Sequence, residues 1–289
     1  MVLANNSTVR TKSSTVSVGL QRLRVTVENA GAGRPLLLVN GIGATGDLFG
    51  PFRRHLQDRE TIAFDAPGVG GSPTPTFPYS MRKMAGIVAG LIDELGHDQV
   101  DLLGLSWGGG LAQEVAHRHP EMVRRLILTA TMPGVTSVPG RPLALGILMS
   151  PIRYYSPAYL KRVAPTLYGG AIRENPQLLD EHAKQRAARP PTQLGYAYQL
   201  SAIQRWTSLP WLHTLPHRTL VLAGDEDPIV RLVNGRIMAN QIPDGRLHVV
   251  EGGGHLFLFT RGEEMAEVVS DFLDTGASKA RRQLHAVVG

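Results

Sequence analysis

Six short apolar runs, each ending near turn residues, constrain this chain more than any other feature. Leu36-Leu37-Leu38-Val39 stops at Asn40-Gly41, Thr61-Ile62-Ala63-Phe64 stops at Asp65, and Val100-Asp101-Leu102-Leu103 stops at Gly104. Leu126-Ile127-Leu128, Leu220-Val221-Leu222-Ala223 and Leu247-His248-Val249-Val250 follow. Runs of this length suit strands buried on both faces. Between them, Met81, Met84, Ile87, Val88, Leu91, Ile92 and Leu95 recur at spacings of three and four, as do Met265, Val268, Val269, Phe272 and Leu273. Such stripes predict amphipathic helices packed on a core. Alternating strand and helix predicts an α/β fold, a mostly parallel sheet flanked by helices. The segment from Thr15 to Glu28 alternates apolar and polar residues instead, which predicts an antiparallel edge.

One region breaks the rhythm. From about Pro133 to Pro216 the chain carries many prolines and aromatics but no buried strand run, as in PGRPLALGILMSPIRYYSPAYL, PTLYGG and WTSLPWL. It reads as an inserted, largely helical cap over residues 133–216, with the core built from residues 15–132 and 217–277. Residues 1–14 and 278–289 read as flexible ends.

Composition narrows the function. Hydrophobic residues make up 43% of the 289, enough for a substantial core. The absence of cysteine removes disulfides, thiolate metal sites and a cysteine nucleophile, and fits a reducing compartment. The N-terminus lacks the apolar core of a signal peptide, and no stretch approaches a membrane span. A cytoplasmic protein is therefore expected. The net charge is +6, but the arginines are scattered and the only compact basic cluster is Lys279, Arg281 and Arg282. A clustered basic face is missing, so nucleic-acid binding is not expected.

Gly104-Leu105-Ser106-Trp107-Gly108 lies between an apolar run and the helical pattern Leu111-Ala112-x-x-Val115-Ala116. Gly-x-Ser-x-Gly in that setting is a nucleophile elbow. The serine sits on a strained turn, and flanking glycines remove Cβ atoms that would collide with strand and helix. Ser106 is the expected nucleophile, and it needs a base. Of ten histidines, His255 follows a late strand run and three glycines, on a loop able to reach back over the sheet. His248 reads as packed; His117 and His119 end a helix; His213, His217 and His285 lie away from any such loop. The acid should follow the preceding strand, where LVLAGDEDPIV offers Asp225, Glu226 and Asp227. The spacing G-x-x-D selects Asp227, with Asp225 as the alternative. Such an acid orients the imidazole and stabilises its cationic form. The expected oxyanion donors are the backbone N–H groups of Trp107 and of Ile42, after Asn40-Gly41. Asp65 reads as a structural turn residue. Cap residues Met149, Tyr168 and Trp206 are candidates for a pocket that holds an aliphatic chain. No metal and no cofactor are expected.

These residues resemble the α/β-hydrolase superfamily over nearly the whole chain. LLLVNGIGATGDLF, IAFDAPGVGGSPTP, GLSWGGGLAQEVAH, SPIRYYSPAYLKRVAPTLYGG, WTSLPWLHTL, TLVLAGDEDPIV and GGGHLFLFTR resemble the intracellular depolymerases of medium-chain-length poly(3-hydroxyalkanoate). The elbow and triad motifs identify only the superfamily; the cap motifs carry the closer resemblance. It implies an α/β-hydrolase fold and ester hydrolysis through an acyl-enzyme on Ser106, Asp227 and His255. It also implies a cytoplasmic enzyme whose partner is a hydrophobic polyester granule surface. An esterase or lipase on small soluble esters, an acyltransferase and a non-catalytic granule-associated protein are the alternatives. Oligomeric state is left open.

Overall fold

A computed structural model describes residues 11–275. Its centre is one eight-stranded sheet, formed by β1 (Thr11–Val18), β2 (Gln21–Glu28), β3 (Leu36–Val39), β4 (Thr61–Phe64), β5 (Val100–Leu105), β6 (Val123–Thr129), β7 (Arg218–Gly224) and β8 (Gly245–Val250). The strand order is β1-β2-β4-β3-β5-β6-β7-β8. β1 and β2 run antiparallel to their neighbours, and the other pairings are parallel. Each of the six apolar runs lies within one of the parallel strands. β1 begins at Thr11 rather than Thr15, because Thr11 to Ser14 pair in register with Glu28 to Val25. The expectation of a flexible N-terminal end therefore fails for residues 11–14. Residues 1–10 and 278–289, with the basic cluster at 279–282, lie outside the described residues.

The side-chain alternation of a strand divides the core in two. Leu37 and Val39 of β3 face the side covered by helices Met81–Glu94, Trp107–Arg118 and Leu232–Gln241. Leu36 and Leu38 face the other side, with Phe49, Phe52 and helix Gly262–Asp274. All four are essentially sealed from solvent, and each buried leucine contributes roughly 1.5–3 kcal/mol. Asp101 interrupts the apolar run of β5 and is also fully buried. Arg124 compensates it with two hydrogen bonds at 2.7 and 2.6 Å.

Between β6 and β7 the chain leaves the sheet and forms six helices, Pro142–Leu148, Ile152–Tyr155, Pro157–Tyr168, Gly170–Glu174, Asp180–Ala188 and Gln193–Gln204. The two ends of this excursion are pinned together. Gly134 bridges Thr207, and the Val135 and Ser208 N–H groups donate to Trp206 and Pro133 carbonyls at 2.9 and 3.0 Å. The helices share a third core, in which Ala144, Leu160, Ala164 and Leu167 meet Ile229, Val230 and Leu256 from the loops after β7 and β8. The insertion is thereby seated over the carboxyl ends of the parallel strands.

Candidate active site

Ser106 lies between the end of β5 and the start of helix Trp107–Arg118, with φ 54° and ψ −117°. A non-glycine residue held there is strained by roughly 1–3 kcal/mol, and its surroundings must enforce it. Two tethers do so: the Ser106 N–H donates to the Thr129 carbonyl at 2.9 Å, and Thr131 Oγ1 donates to the Ser106 carbonyl at 2.6 Å. The flanking glycines are required by close approach. A Cβ on Gly104 would lie 2.3 Å from the Gly108 carbonyl oxygen, and one on Gly108 would lie 2.1 Å from that of Val39.

His255 comes from the loop after β8 and Asp227 from the loop after β7. His255 Nε2 is 3.1 Å from Ser106 Oγ, and His255 Nδ1 is 2.7 Å from Asp227 Oδ2. The other Asp227 oxygen accepts the Ile229 and Val230 N–H groups at 2.8 and 2.9 Å. Both Asp227 and His255 are buried. A carboxylate at Nδ1 keeps a proton on that nitrogen and leaves the Nε2 lone pair toward the serine hydroxyl. Asp225 is exposed and lines a surface cleft with Arg141, Arg231 and Arg236, a cleft that Asp227 also borders; the carboxylate bonded to His255 is that of Asp227. The backbone of the insertion enters this arrangement directly: the His255 N–H donates to the Tyr168 carbonyl at 2.7 Å, and the Tyr168 ring stacks parallel to the imidazole.

The loop after β3 passes alongside. Asn40 ties it, donating to the Thr45 carbonyl at 2.7 Å and accepting the Gly41 N–H at 2.8 Å. Gly41 lies so near that a Cβ there would be 3.5 Å from that of Ser106. Gln199 of the insertion accepts the Gly43 N–H at 2.7 Å through its side chain, and its carbonyl accepts the Trp107 indole N–H at 2.9 Å. Tyr154 donates to the Ile42 carbonyl at 2.5 Å. The backbone N–H groups of Ile42 and Trp107 make none of these bonds. Asp65 is fully buried and accepts the Gly46 and Gly71 N–H groups at 2.8 and 2.9 Å. Burial pushes its pKa up, against the opposing pull of those two N–H groups. It braces two loops and is not among the residues lining the serine cavity.

Ser106, His255, Ile42 and Tyr168 line one cavity of about 30 Å³, room for little more than water. Two expected pocket residues are elsewhere. Met149 is 55% exposed and lines an outer groove with Ile152, Tyr155 and Leu200. Trp206 is buried behind the nucleophile's helix, where its indole N–H donates to Glu114 at 2.8 Å. Both are corrections: each residue lies just past the end of an insertion helix, Met149 after Pro142–Leu148 and Trp206 after Gln193–Gln204, on a stretch that seats its side chain away from the cavity. In their place stand Leu148 and Tyr154, two more of the cap's apolar and aromatic residues, together with Ile229, Phe259, Arg153 and Arg186, which sequence reasoning missed. The two arginines were read with the solvated surface charges. The only hint was their company, Arg153 next to Tyr154-Tyr155 and Arg186 in a helix otherwise short of large apolar residues.

Buried histidines give the fold a pH dependence. Burial, reinforced by Arg186, holds His182 well below its ordinary pKa, and burial also lowers His217. Unfolding lets both regain a proton affinity near 6.5. Stability is therefore complete above that value and is lost as pH falls below it, by up to about 1.4 kcal/mol per pH unit for His182. Melting at about pH 5.5 is expected at a lower temperature than at about pH 7.5. A His182→Leu variant should narrow the gap; an unchanged gap would mean that His182 does not contribute.

Residues 34–262 match the α/β-hydrolase fold family. The chain belongs to that family. Among its relatives, the poly(3-hydroxyalkanoate) depolymerase of Ectopseudomonas oleovorans is 46% identical, covering 85% of this chain and 86% of its own. A 2-hydroxymuconate semialdehyde hydrolase from Pseudomonas sp. strain CF600 is 31% identical, over 87% of this chain and 90% of its own. The solved α/β structure of a thermophilic esterase from Thermogutta terrifontis superposes with a TM-score of 0.75 at 25% identity, over 92% of this chain and 98% of that one.

Proposed function

We propose that the protein is a serine hydrolase that cleaves the ester bonds of medium-chain-length poly(3-hydroxyalkanoate). The observation that carries the chemistry is the continuous relay from Ser106 through His255 to Asp227, at 3.1 and 2.7 Å. The polyester assignment rests on the 46% identical depolymerase, whose likeness spans 85% of this chain and includes the insertion. His255 takes the Ser106 proton as the hydroxyl attacks the ester carbonyl. The Ile42 and Trp107 amides hold the oxyanion, and His255 protonates the departing 3-hydroxyl group. Water activated by the same histidine then frees the acyl unit. The insertion over residues 133–216 acts as a cap. The cavity at Ser106, of about 30 Å³, is far below the several hundred Å³ of a typical ligand pocket, so the cap must move to admit an aliphatic side chain.

The outer face of the insertion suits a polymer particle. Leu143, Met149, Ile152, Tyr155 and Leu194 are all exposed there, and clustered apolar surface favours adsorption to a hydrophobic phase. Among the described residues, no helix is long and apolar enough to cross a membrane. We read the enzyme as cytoplasmic and granule-associated.

The deciding assay is release of 3-hydroxyacids from medium-chain polyester granules and from short-chain poly(3-hydroxybutyrate), with p-nitrophenyl octanoate as a soluble control. Release from the medium-chain granules and not the short-chain polymer is expected. The small volume of the cavity favours a second reading, a hydrolase of small soluble esters. Hydrolysis of the nitrophenyl ester with neither polymer attacked would establish that reading in its place.

A further inference from the structure

Arg153 and Arg186 both line the cavity that holds Ser106, and they are only 3% and 4% exposed. Neither has an acidic partner among the described residues. Arg153 donates through Nη1 to the Ser150 carbonyl at 3.0 Å and to the Tyr196 hydroxyl at 2.7 Å. Arg186 donates through Nη1 to the Tyr168 hydroxyl. Their Nε–H groups are buried and unpartnered. A guanidinium carries five N–H donors, so much of this capacity is unspent.

Both cations pack against one aromatic ring. Their guanidinium carbons lie 4.7 and 5.1 Å from the centre of the same Tyr154 ring. Arg153 also sits over Tyr196 at 5.3 Å and Arg186 over Tyr168 at 5.4 Å. Ring faces offset part of the cost of burying a cation. They do not cancel the repulsion between two like charges, and an uncompensated buried charge ordinarily costs several kcal/mol. No Asp or Glu is among the residues lining the cavity, and Asp227, behind His255, is engaged by that histidine and two backbone N–H groups. What the pair lacks is an anion.

We propose that Arg153 and Arg186 form a carboxylate subsite inside the catalytic cavity, through which the enzyme takes polyester from its carboxyl terminus. The inference rests on the polyester reading above. In a poly(3-hydroxyalkanoate), the terminal carboxylate is separated from the last ester oxygen by only two carbon atoms, so once the cap has moved to admit the chain end the same cavity can bring one to the arginines and the other to Ser106. Leu148, Ile229 and Phe259 on the same wall suit the aliphatic side chain. The atoms balance as in any ester hydrolysis. Ser106 Oγ bonds to the acyl carbon of the penultimate unit, the ester bond to the terminal unit breaks, and that unit leaves as a 3-hydroxy acid with the proton from His255. Water then cleaves the acyl-enzyme and leaves a carboxylate on the shortened chain. Each cycle thus regenerates the group that the arginines recognise.

The test compares a 3-hydroxyoctanoate dimer bearing a free carboxylate with its methyl ester, which carries the same internal ester bond and no charge. The wild-type enzyme is expected to prefer the acid in kcat/KM for that internal bond by roughly ten- to hundredfold, the range set by a charge-assisted contact. Arg186→Gln and Arg153→Gln should each bring the acid-to-ester ratio toward one, and Arg186→Lys should recover part of it. The ratio is taken within a single preparation, so loss of folded protein cancels. Cleavage of both dimers with a wild-type ratio at or below one would overturn the carboxylate subsite alone. So would a ratio that neither glutamine variant changes. If neither dimer is cleaved while p-nitrophenyl octanoate is, the polyester reading falls and this proposal falls with it.

Discussion

Ser106→Ala is expected to lower kcat by at least about 10⁴-fold on granules and on soluble esters alike, while the protein melts within a few degrees of the wild type. The loss is large because no other group takes over. Without Oγ no acyl-enzyme forms, and what remains is the contribution of the oxyanion donors and of binding. The fold should tolerate the change, because the tethers at this position are backbone ones. The Ser106 N–H and carbonyl are held by Thr129 and Thr131, and its side chain makes one bond, to His255. An alanine Cβ occupies the same place as that of serine. Retention of more than a few per cent of the rate would remove Ser106 as nucleophile.

Asp227→Asn is expected to cost about 10⁴-fold in kcat with little change in KM. The asparagine would keep its oxygen toward the Ile229 and Val230 N–H groups, since those two donors accept no substitute there. Its NH₂ then faces His255 Nδ1, which must become an acceptor. The ring proton moves to Nε2, where a donor meets Ser106 Oγ and the general base is gone. Asp225→Asn is the companion variant. Asp225 is exposed and lines a surface cleft with arginines, and the carboxylate bonded to His255 is that of Asp227, so the kcat of this variant should remain within about twofold, as for an exposed substitution. A reversed pattern, with Asp225→Asn inactive and Asp227→Asn active, would exchange the roles of the two aspartates.

Legibility differed sharply between the sheet and the insertion. Leu36–Val39 and Thr61–Phe64 are buried on both faces, so every residue is apolar or compact and the strand limits show directly in the sequence. The elbow was legible because Gly104 and Gly108 answer a backbone collision that is local in sequence. His255 and Asp227 were legible through their positions after late strands. Pocket residues have no such local constraint. Met149 and Trp206 lie just past helix ends and Tyr168 closes the helix Pro157–Tyr168; which of them faces the cavity depends on how the chain leaves each helix, and helical spacing does not fix that. Arg153 and Arg186 were hidden more deeply. Burial of an arginine is decided by tyrosines distant in sequence, such as Tyr196 for Arg153. Gln199 is a comparable case, since its two loop contacts join residues over 90 positions away.

The seat of Tyr168, Gly169 and Gly170 limits how this enzyme can be re-engineered. The Tyr168 carbonyl holds the His255 backbone. A Cβ on Gly169 would lie 2.4 Å from the Glu226 carbonyl oxygen, and one on Gly170 would lie 2.3 Å from the Gly254 nitrogen. One short stretch of the insertion is thus wedged against the loops that carry both partners of the serine. Grafting a relative's insertion between β6 and β7 to alter substrate range would also exchange the buttress of the relay. A chimera that keeps residues 168–170 and replaces only helices further from them preserves the geometry of proton transfer; one that replaces the whole segment puts selectivity and rate at stake together.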